Sequence, residues 1–485
     1  MMDTSANTLN RAYVALSSFV FILSLITGLY RSGSSYFTVV DIQLSFIITL
    51  VFTAAFLIFS YRKNQLNMPI KLRAILVTSI CLRICYTLFT DAGTRTYDVY
   101  RDKWGHLDYI KHLAQHFTLP PVNECQAYHP PVHHIIAALA LDLSKLFAQK
   151  EFYRLKFIQF VMVVISSLTL LILYKLLKEL NCSNVVILTG ISFFAFHPTS
   201  IYFSSRINND NTLLFFYTLA FFFLVKWLRN NTLKNIVYLA LTASLALLTK
   251  FSGIILIPLI AFTFTIVLIR KRSEYIKYVK QYAVFGLIFL PLSMSYQIRN
   301  YILFNQGFGY VPYLGKGFTP TFYNLIFIPL SDMLKHPFNN GGIKGGDFFL
   351  EFFLKSSLFG EWSYPGMEIL AVPMLLLVMA VGLIIMINLL WINKESRKDY
   401  RVLLLLNLII PVLLEMKLRT DLPTACSQDF RYAAPILVSA AFFIGETVRR
   451  LEQSKLKILK YLVIACSTLF CILSIIFVLS LGFYN

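Results

Sequence analysis

The residues best suited to chemistry are concentrated in residues 97–134, within a chain that is otherwise mostly apolar. Three aspartates, Asp98, Asp102 and Asp108, follow closely on an apolar run. A carboxylate near a desolvated, cationic site can act as a general base on an acceptor hydroxyl or amine. Asp102 precedes His106 by four residues and Asp108 precedes His112 by four, so each acid would share a face with its histidine if this segment is helical. The alternative is that these aspartates are solvated and paired with neighbouring basic residues.

The run YHPPVHH, residues 128–134, is a sharper signal. Paired prolines hold the chain extended and begin a helix whose first turn carries His133 and His134, with Tyr128 and His129 before it. Consecutive histidines on a helix point in different directions, which is a poor arrangement for zinc. We therefore predict no metal site here, and expect these side chains to hydrogen-bond a phosphate or a sugar.

Three cations stand at the ends of apolar runs further along the chain: Lys250 in LLTKFSG, Arg299 in YQIRNY and Arg431 in QDFRY. Guanidinium groups hold phosphate through paired hydrogen bonds. Together the three predict an anion-binding site near the membrane surface, with Asn209 and Asp210 of the RINND motif close by. The alternative is that each is a snorkelling or interfacial anchor.

The composition decides where this chemistry takes place. Hydrophobic residues make up 57% of the 485 residues, charged residues 14%, and the mean hydropathy is +0.66; soluble domains carry roughly 25% charged residues. The net charge of +20 lies in short basic clusters between apolar runs, which indicates a polytopic membrane protein rather than a nucleic-acid-binding one. The seven cysteines form no CxxC pair, and a disulfide between Cys125 and Cys426 has no support beyond their shared side of the membrane.

Apolar runs long enough to cross a bilayer number about thirteen, which predicts an all-α bundle of transmembrane helices. All the basic clusters share one side if the N-terminus is cytoplasmic, which places the polar motifs on the opposite, outer side. The predicted spans are 12–30, 41–61, 73–90, 156–174, 184–203, 211–228, 235–249, 252–269, 281–297, 367–391, 402–418, 432–448 and 458–481.

The chain divides into three parts on this prediction. Residues 1–72 carry two additional N-terminal spans, residues 73–450 form the core, and residues 451–485 hold a C-terminal span. The core has two large outer loops, 91–155 with the acids and the HPP motif, and 298–366.

Two apolar segments within these loops are too short or too interrupted to span. The run after Pro131 contains Asp142 and Lys145, and counting it as a span would invert every later loop, so we expect a juxtamembrane helix. The aromatic run FFLEFFLKSSLFGEW, residues 348–362, is predicted to be an interfacial amphipathic helix, with an ordinary packed loop as the alternative.

Several motifs, taken in order, resemble those of the GT-C superfamily of integral membrane glycosyltransferases. They are GHLDYI, LPP, YHPPVHH, FHPTSIYFSSRINND, LALLTKFSG, QIRNYILF, SLFGEW and RYAAP. The branch they are most similar to is the one related to protein O-mannosyltransferases and bacterial lipid A aminoarabinose transferases. The resemblance covers roughly residues 73–450.

The resemblance implies a helical bundle with juxtamembrane helices in the first outer loop, and transfer of a sugar from a polyprenyl-phosphate carrier. Asp98 in TYDVY would be the catalytic base, and Lys250, Arg299 and Arg431 would hold the carrier phosphate. Two departures from the family pattern stand out: the extra residues YRDKW leave Asp102 as a rival base, and the usual Asp-Glu pair is absent. No nucleotide sugar and no cofactor are implied.

The function predicted is therefore a lipid-carrier-dependent glycosyltransferase acting at the periplasmic or lumenal face, by inverting displacement, on a lipid, glycan or protein acceptor. A transporter or flippase of a lipid-linked or envelope glycan is the alternative, although it would place polar residues at mid-membrane rather than at the outer end. An O-antigen polymerase or ligase is a third. We expect a bacterial inner membrane, or the endoplasmic reticulum if the source is eukaryotic. The residues expected to bind substrate are His106, Tyr128, His129, His133, Asn209 and Asp210.

Overall fold

The computed structural model describes most of the predicted core. The described residues are 69–96, 98–100, 105–310, 319–339, 348–390 and 399–483. The two predicted N-terminal spans and Asp102 lie outside them.

The described residues form helices joined by turns, with no strand among them, which confirms the all-α prediction. In chain order the α-helices are α1 Ile70–Phe89, α2 His106–His116, α3 Val132–Ser144, α4 Glu151–Glu179, α5 Asn184–Phe196, α6 Pro198–Tyr202, α7 Asn209–Arg229, α8 Leu233–Thr249, α9 Leu256–Arg270, α10 Tyr275–Phe304, α11 Phe322–Ile326, α12 Leu330–Lys335, α13 Phe349–Phe359, α14 Glu368–Leu390, α15 Asp399–Asp421, α16 Ile436–Glu452 and α17 Leu459–Ser480.

The predicted spans within the described part of the chain coincide with single helices, except 184–203, which is divided between α5 and α6. Among the described residues, six helical segments could cross a membrane by length and composition: α1, α4, α7, α9 with the 3₁₀ turn before it, α14 and α17. A seventh is the pair α5 and α6 with its following turn, bent by 62°. The predicted count of thirteen is not confirmed.

The bend between α5 and α6 depends on a buried arginine in α1. Pro198 begins α6 and ends the continuous helix at the preceding residue. Arg83, fully buried, donates to the carbonyl of Ala195 at 3.0 Å, to Ser200 Oγ at 2.7 Å and to Ser166 Oγ at 2.9 Å. The guanidinium thus satisfies backbone and hydroxyl groups that a broken helix leaves without partners inside an apolar bundle.

The helix after Pro131 forms as expected. Along α3 the side chains of Ile135, Leu139 and Leu143 are exposed at four-residue spacing, whereas His133 and His134 are fully buried. One apolar face therefore points outward while the polar start of the helix points into the protein, which is the arrangement of a helix that lies along an interface.

The aromatic run also becomes a helix, α13, but both predictions of its surroundings are wrong. Phe349, Phe352 and Phe359 are buried, and so is the i,i+4 ion pair of Glu351 with Lys355, at 2.5 Å. The helix packs against α6, α14 and the turn that precedes α16. Its two charges neutralise each other, and of its side chains only Leu350 and Leu354 are partly exposed, so most of a sequence that looked amphipathic is buried.

α5 packs closely against α16 through two glycines, Gly190 and Gly445. A Cβ added at Gly190 would overlap the carbonyl oxygen of Ala441, and one added at Gly445 would overlap that of Val186. Backbone-to-backbone contact of this kind is how small residues let helices approach each other inside a membrane.

We predict that Gly190→Ala or Gly445→Ala lowers the stability of the purified protein by about 1 to 3 kcal/mol, the usual cost of overpacking. The measurement is thermal unfolding in detergent. Gly286→Ala is the matched control, since it also lies within a helix but a Cβ there meets nothing within 4 Å. Equal unfolding temperatures for all three variants would contradict the close approach.

Candidate active site

The RINND and TKFSG motifs meet at the start of α7 and the end of α8. Asn208 caps α7, its side chain accepting from the backbone N–H of Asp210 at 3.3 Å. Asn209 Nδ2 donates to the carbonyl of Thr249 at 3.4 Å, and Lys250 Nζ forms a hydrogen-bonded ion pair with Asp210 Oδ1. Both partners of the pair are buried. Two motifs forty residues apart therefore form one structural unit.

The turn before α16 adds a second cation to this unit. Lys250 Nζ lies 4.6 Å from the centre of the Tyr432 ring, and the Arg431 guanidinium lies 5.0 Å from the same centre. Arg431 also donates to the Tyr432 hydroxyl at 3.2 Å, and Asp429 accepts from the Arg431 backbone at 2.9 Å. The structure thus brings Lys250 and Arg431 together around one aromatic ring, which attracts both cations.

Arg299, the third predicted phosphate-binding residue, makes different contacts. Its guanidinium donates to the carbonyls of Leu119 and Pro120 at 3.1 and 3.0 Å and to Asn300 Oδ1 at 2.9 Å. It is not among the residues that line the cavity described below. Its part in phosphate binding stays an untested prediction, and its observed contacts hold the LPP segment against α10.

Asp98 sits in a strained turn that the start of α2 holds in place. Its φ is +52°, a conformation that L-residues rarely adopt. Its carbonyl accepts from His106 N at 2.6 Å, and the carbonyl of Val99 accepts from Leu107 N at 3.3 Å. A Cβ at Gly105 would overlap the oxygen of Val99. Because Gly105 has no side chain, the turn that contains Asp98 can contact the start of α2.

Asp108 has a structural task. Its carboxylate accepts from the N–H of Gly105 at 3.1 Å, which caps the first turn of α2. The predicted pairing of Asp108 with His112 is not observed, because the carboxylate turns back toward the helix start while the His112 ring packs on His116. Whether Asp102 pairs with His106 stays a prediction, since Asp102 lies outside the described residues.

Four histidines from α2 and the HPP segment form a buried cluster. His106 Nδ1 and His134 Nε2 are 2.9 Å apart, and His133 Nδ1 is 2.9 Å from Thr212 Oγ1. The His133 and His134 rings are inclined at 80°, and His129 stacks on His106 with ring centres 5.6 Å apart. As expected for neighbouring helical residues, the two histidines of VHH point in different directions.

Burial keeps this cluster neutral. Desolvation lowers the pKa of His133 to about 3 and lowers the pKa values of His106, His129 and His134 well below 6.5. For His106 and His129 the nearby positive charges act in the same direction. Neutral imidazoles can donate or accept single hydrogen bonds. No three His, Cys, Asp or Glu side chains are placed to hold a metal ion within the described part of the chain.

These elements surround a cavity of about 1130 Å³ with walls of two kinds. The polar wall consists of predicted site residues and their neighbours: Asp98, His106, Tyr128, His129, Asn208, Asn209, Asp210, Lys250 and Arg431. The other wall is mostly apolar and comes from the start of α9, the end of α10 and one face of α15, with Ile254, Ile255, Phe304, Leu414 and Leu418. The arrangement suits a ligand that carries an anionic or polar head on an apolar chain.

Sequence reasoning missed several cavity residues. Glu415, inside a predicted span, lines the cavity, as do Tyr432, Cys125 and Cys426. For Glu415 a signal existed, since an ionisable residue within an apolar run is a functional candidate by default. The two thiols are free, so the disulfide considered for them is not formed.

Comparison with known proteins shows a matching family model and solved structures that resemble this architecture. Residues 128–296 match the family model of dolichyl-phosphate-mannose-protein mannosyltransferases. The oligosaccharyltransferase AglB of Archaeoglobus fulgidus, solved with an inhibitory peptide and a dolichol-phosphate, matches with a TM-score of 0.51 and 15% identity, over 85% of this chain and 56% of that one. ArnT of Cupriavidus metallidurans, solved with undecaprenyl phosphate, matches over 78% of both chains at 12% identity, with a TM-score of 0.38 that is too low to support a conclusion. The comparison with curated protein sequences gives no match.

The fold is thus shared with the oligosaccharyltransferase AglB, and over residues 128–296 the family model supports the resemblance seen in the sequence motifs. The chain spans about half the length of the oligosaccharyltransferase it matches.

The buried histidines predict that the protein loses stability in acid. As the pH falls below about 6.5, the unfolded chain takes up protons that the folded chain, with its lowered histidine pKa values, does not. Each such histidine then lowers the free energy of unfolding by about 1 kcal/mol between pH 6.5 and 5.5. For His133 the loss continues down to its folded pKa of about 3.

The measurement is the unfolding temperature in detergent as a function of pH. His133→Gln should reduce the slope, whereas His116→Gln, at an exposed position, should not change it. An unfolding temperature that does not fall between pH 6.5 and 5.5 would contradict the neutral cluster.

Proposed function

We propose that this chain is a glycosyltransferase that moves a sugar from a polyprenyl-phosphate carrier to an acceptor at the periplasmic or lumenal face of a membrane. The observation that carries the proposal is that Lys250, Arg431 and Asp98 line one cavity together with apolar side chains such as Ile254, Phe304 and Leu414. Such a cavity can hold a phosphate and its lipid chain at once. The family model matched by residues 128–296 and the dolichol-phosphate held by AglB support the same donor class.

Lys250 and Arg431 would bind the carrier phosphate. Lys250 is buried and Arg431 largely buried beside the Tyr432 ring, and an anion in such a water-poor site is attracted more strongly than at an exposed surface. Asp210 holds Lys250 in place through its ion pair. Arg299 would contribute indirectly, because it fixes Leu119 and Pro120 just before the segment that supplies cavity residues Val122 to His129.

Asp98 would be the general base. The acceptor's oxygen or nitrogen attacks the anomeric carbon of the sugar while its proton passes to the Asp98 carboxylate. The bond from the anomeric carbon to the phosphate oxygen breaks, and its electron pair leaves with the carrier phosphate, which Lys250 and Arg431 stabilise. One such displacement inverts the anomeric centre. Asp102, outside the described residues, remains the rival base.

The neutral polar groups would orient the sugar and the acceptor. His106, Tyr128, His129 and Asn209 all line the cavity. His133 lies behind them, directed at Thr212, and would act by supporting the cluster. The acceptor could be a lipid, glycan or protein. The membrane proposed is the bacterial inner membrane, or the endoplasmic reticulum in a eukaryote.

Asp98→Asn is expected to leave the protein folded and to lower the rate of transfer from a polyprenyl-phosphate sugar about 10²- to 10⁴-fold, since the amide cannot accept the proton. The measurement is product formation by mass spectrometry with envelope or microsomal extracts as acceptor. Asp142→Asn is the matched control, because Asp142 pairs with Lys145 on α3 outside the cavity. Full activity of Asp98→Asn would assign the base to another residue.

Lys250→Ala and Arg431→Ala are expected to weaken binding of the donor about 10- to 100-fold, because each removes a charged hydrogen-bond donor from the phosphate. Titration of a fluorescent polyprenyl phosphate measures this effect. Lys417→Ala, which removes an exposed cation paired with Asp421 at 2.7 Å, is the control. Unchanged affinity in both site variants would contradict the phosphate site.

A further inference from the structure

Glu415 is a buried carboxylate in the candidate active site that the mechanism above does not use. It is 3% exposed and lines the cavity from α15. Among the described residues, neither of its carboxylate oxygens has a hydrogen-bond partner, and none of the ion pairs includes it. Burying a carboxylate without partners is costly, so a protein that keeps one there is expected to use it.

The cations of the cavity are engaged by other acids. Lys250 bonds to Asp210, and Arg431 lies 4.0 Å from Asp429. The cavity-facing side of α15 is otherwise uncharged, with Pro411, Leu414 and Leu418 at helical spacing on either side of Glu415. Glu415 is therefore the acidic residue on the cavity-facing side of α15, which would contact a lipid-linked ligand.

A second buried acceptor lies in the same cavity. Gln126, from the segment before the HPP motif, is 4% exposed, and its Oε1 also has no partner among the described residues. The cavity thus combines two cations, which suit a phosphate, with two acceptors, which suit groups that carry O–H or N–H hydrogens. A monosaccharide joined to a phosphate offers this combination within one molecule.

We propose that Glu415 determines donor specificity by accepting hydrogen bonds from the sugar of the polyprenyl-phosphate donor, with Gln126 as a second acceptor. This inference rests on the proposed function. The sugar is bonded directly to the carrier phosphate. A phosphate held by Lys250 and Arg431 therefore brings the sugar's hydroxyl or ammonium hydrogens into the part of the cavity that Glu415 lines. The carrier without its sugar offers no such hydrogens.

The experiment compares two ligands on the full-length protein in detergent. One is undecaprenyl or dolichyl phosphate without a sugar, and the other is the same carrier loaded with one of a panel of neutral hexoses and pentoses and their amino analogues. Glu415→Gln and Glu415→Ala should bind the bare carrier as the wild type does. They should bind the preferred sugar-loaded carrier about 10- to 100-fold more weakly, the effect of one or two hydrogen bonds to a charged group.

Two controls separate recognition from structure. Arg431→Ala should weaken binding of both ligands, because it removes a phosphate contact. Glu368→Gln changes a carboxylate outside the cavity, which accepts from the N–H of Gly366 at 2.8 Å, and should change neither affinity. Unfolding temperatures show whether each variant is folded, and the near-isosteric Glu415→Gln keeps the test valid if Glu415→Ala unfolds.

The outcomes are distinct. If the Glu415 variants lose affinity only for carriers loaded with amino sugars, the recognised group is an ammonium. If they lose affinity only for carriers loaded with neutral sugars, it is a hydroxyl. Both results support the inference. Equal weakening of bare and loaded carrier, or unchanged binding of the loaded carrier, overturns it while the proposed function stands. A wild-type protein that binds neither carrier overturns the proposed function and the inference together.

Discussion

The buried ion pair between Asp210 and Lys250 is the interaction on which the rest of the site depends. Two charges removed from water are tolerated only when each satisfies the other at close range, and loss of either would leave the other uncompensated. The pair therefore holds the start of α7 against the end of α8. With Lys250 held in this way, its charge faces the Tyr432 ring, and the turn that carries Arg431 completes a compact cationic region.

The acidic half of the site is positioned by backbone contacts rather than by charge. The carbonyls of Asp98 and Val99 accept from the first N–H groups of α2, which a helix start leaves without partners. Gly105 makes this approach possible by having no side chain. Behind the turn, the neutral histidines fill space and satisfy one another without adding charge. Among the described residues that line the cavity, the Lys and Arg side chains are Lys250 and Arg431, where a phosphate would bind.

Much of the fold could be read from the sequence. Apolar runs interrupted by basic clusters predicted the long helices of the core, such as α1, α4, α7, α14 and α17, and the charges after Pro131 predicted that α3 is too short to span. The motifs also predicted that residues from distant segments, such as Asp98, Lys250 and Arg431, belong to one site, and all three line the cavity. Local patterns were sufficient here because helix formation depends mainly on neighbours within a few turns.

What the sequence by itself determined is the set of helices, the polar motifs between them and the kind of chemistry those residue types allow. Only the tertiary structure decided which partner each charge meets. Arg299 turned to carbonyls about 180 residues away, and Glu415 was brought into the cavity wall with no hydrogen-bond partner among the described residues. The physical reason is that a charge in an apolar bundle is governed by whatever lies within a few ångströms, and packing of the helices, not spacing along the chain, sets those neighbours.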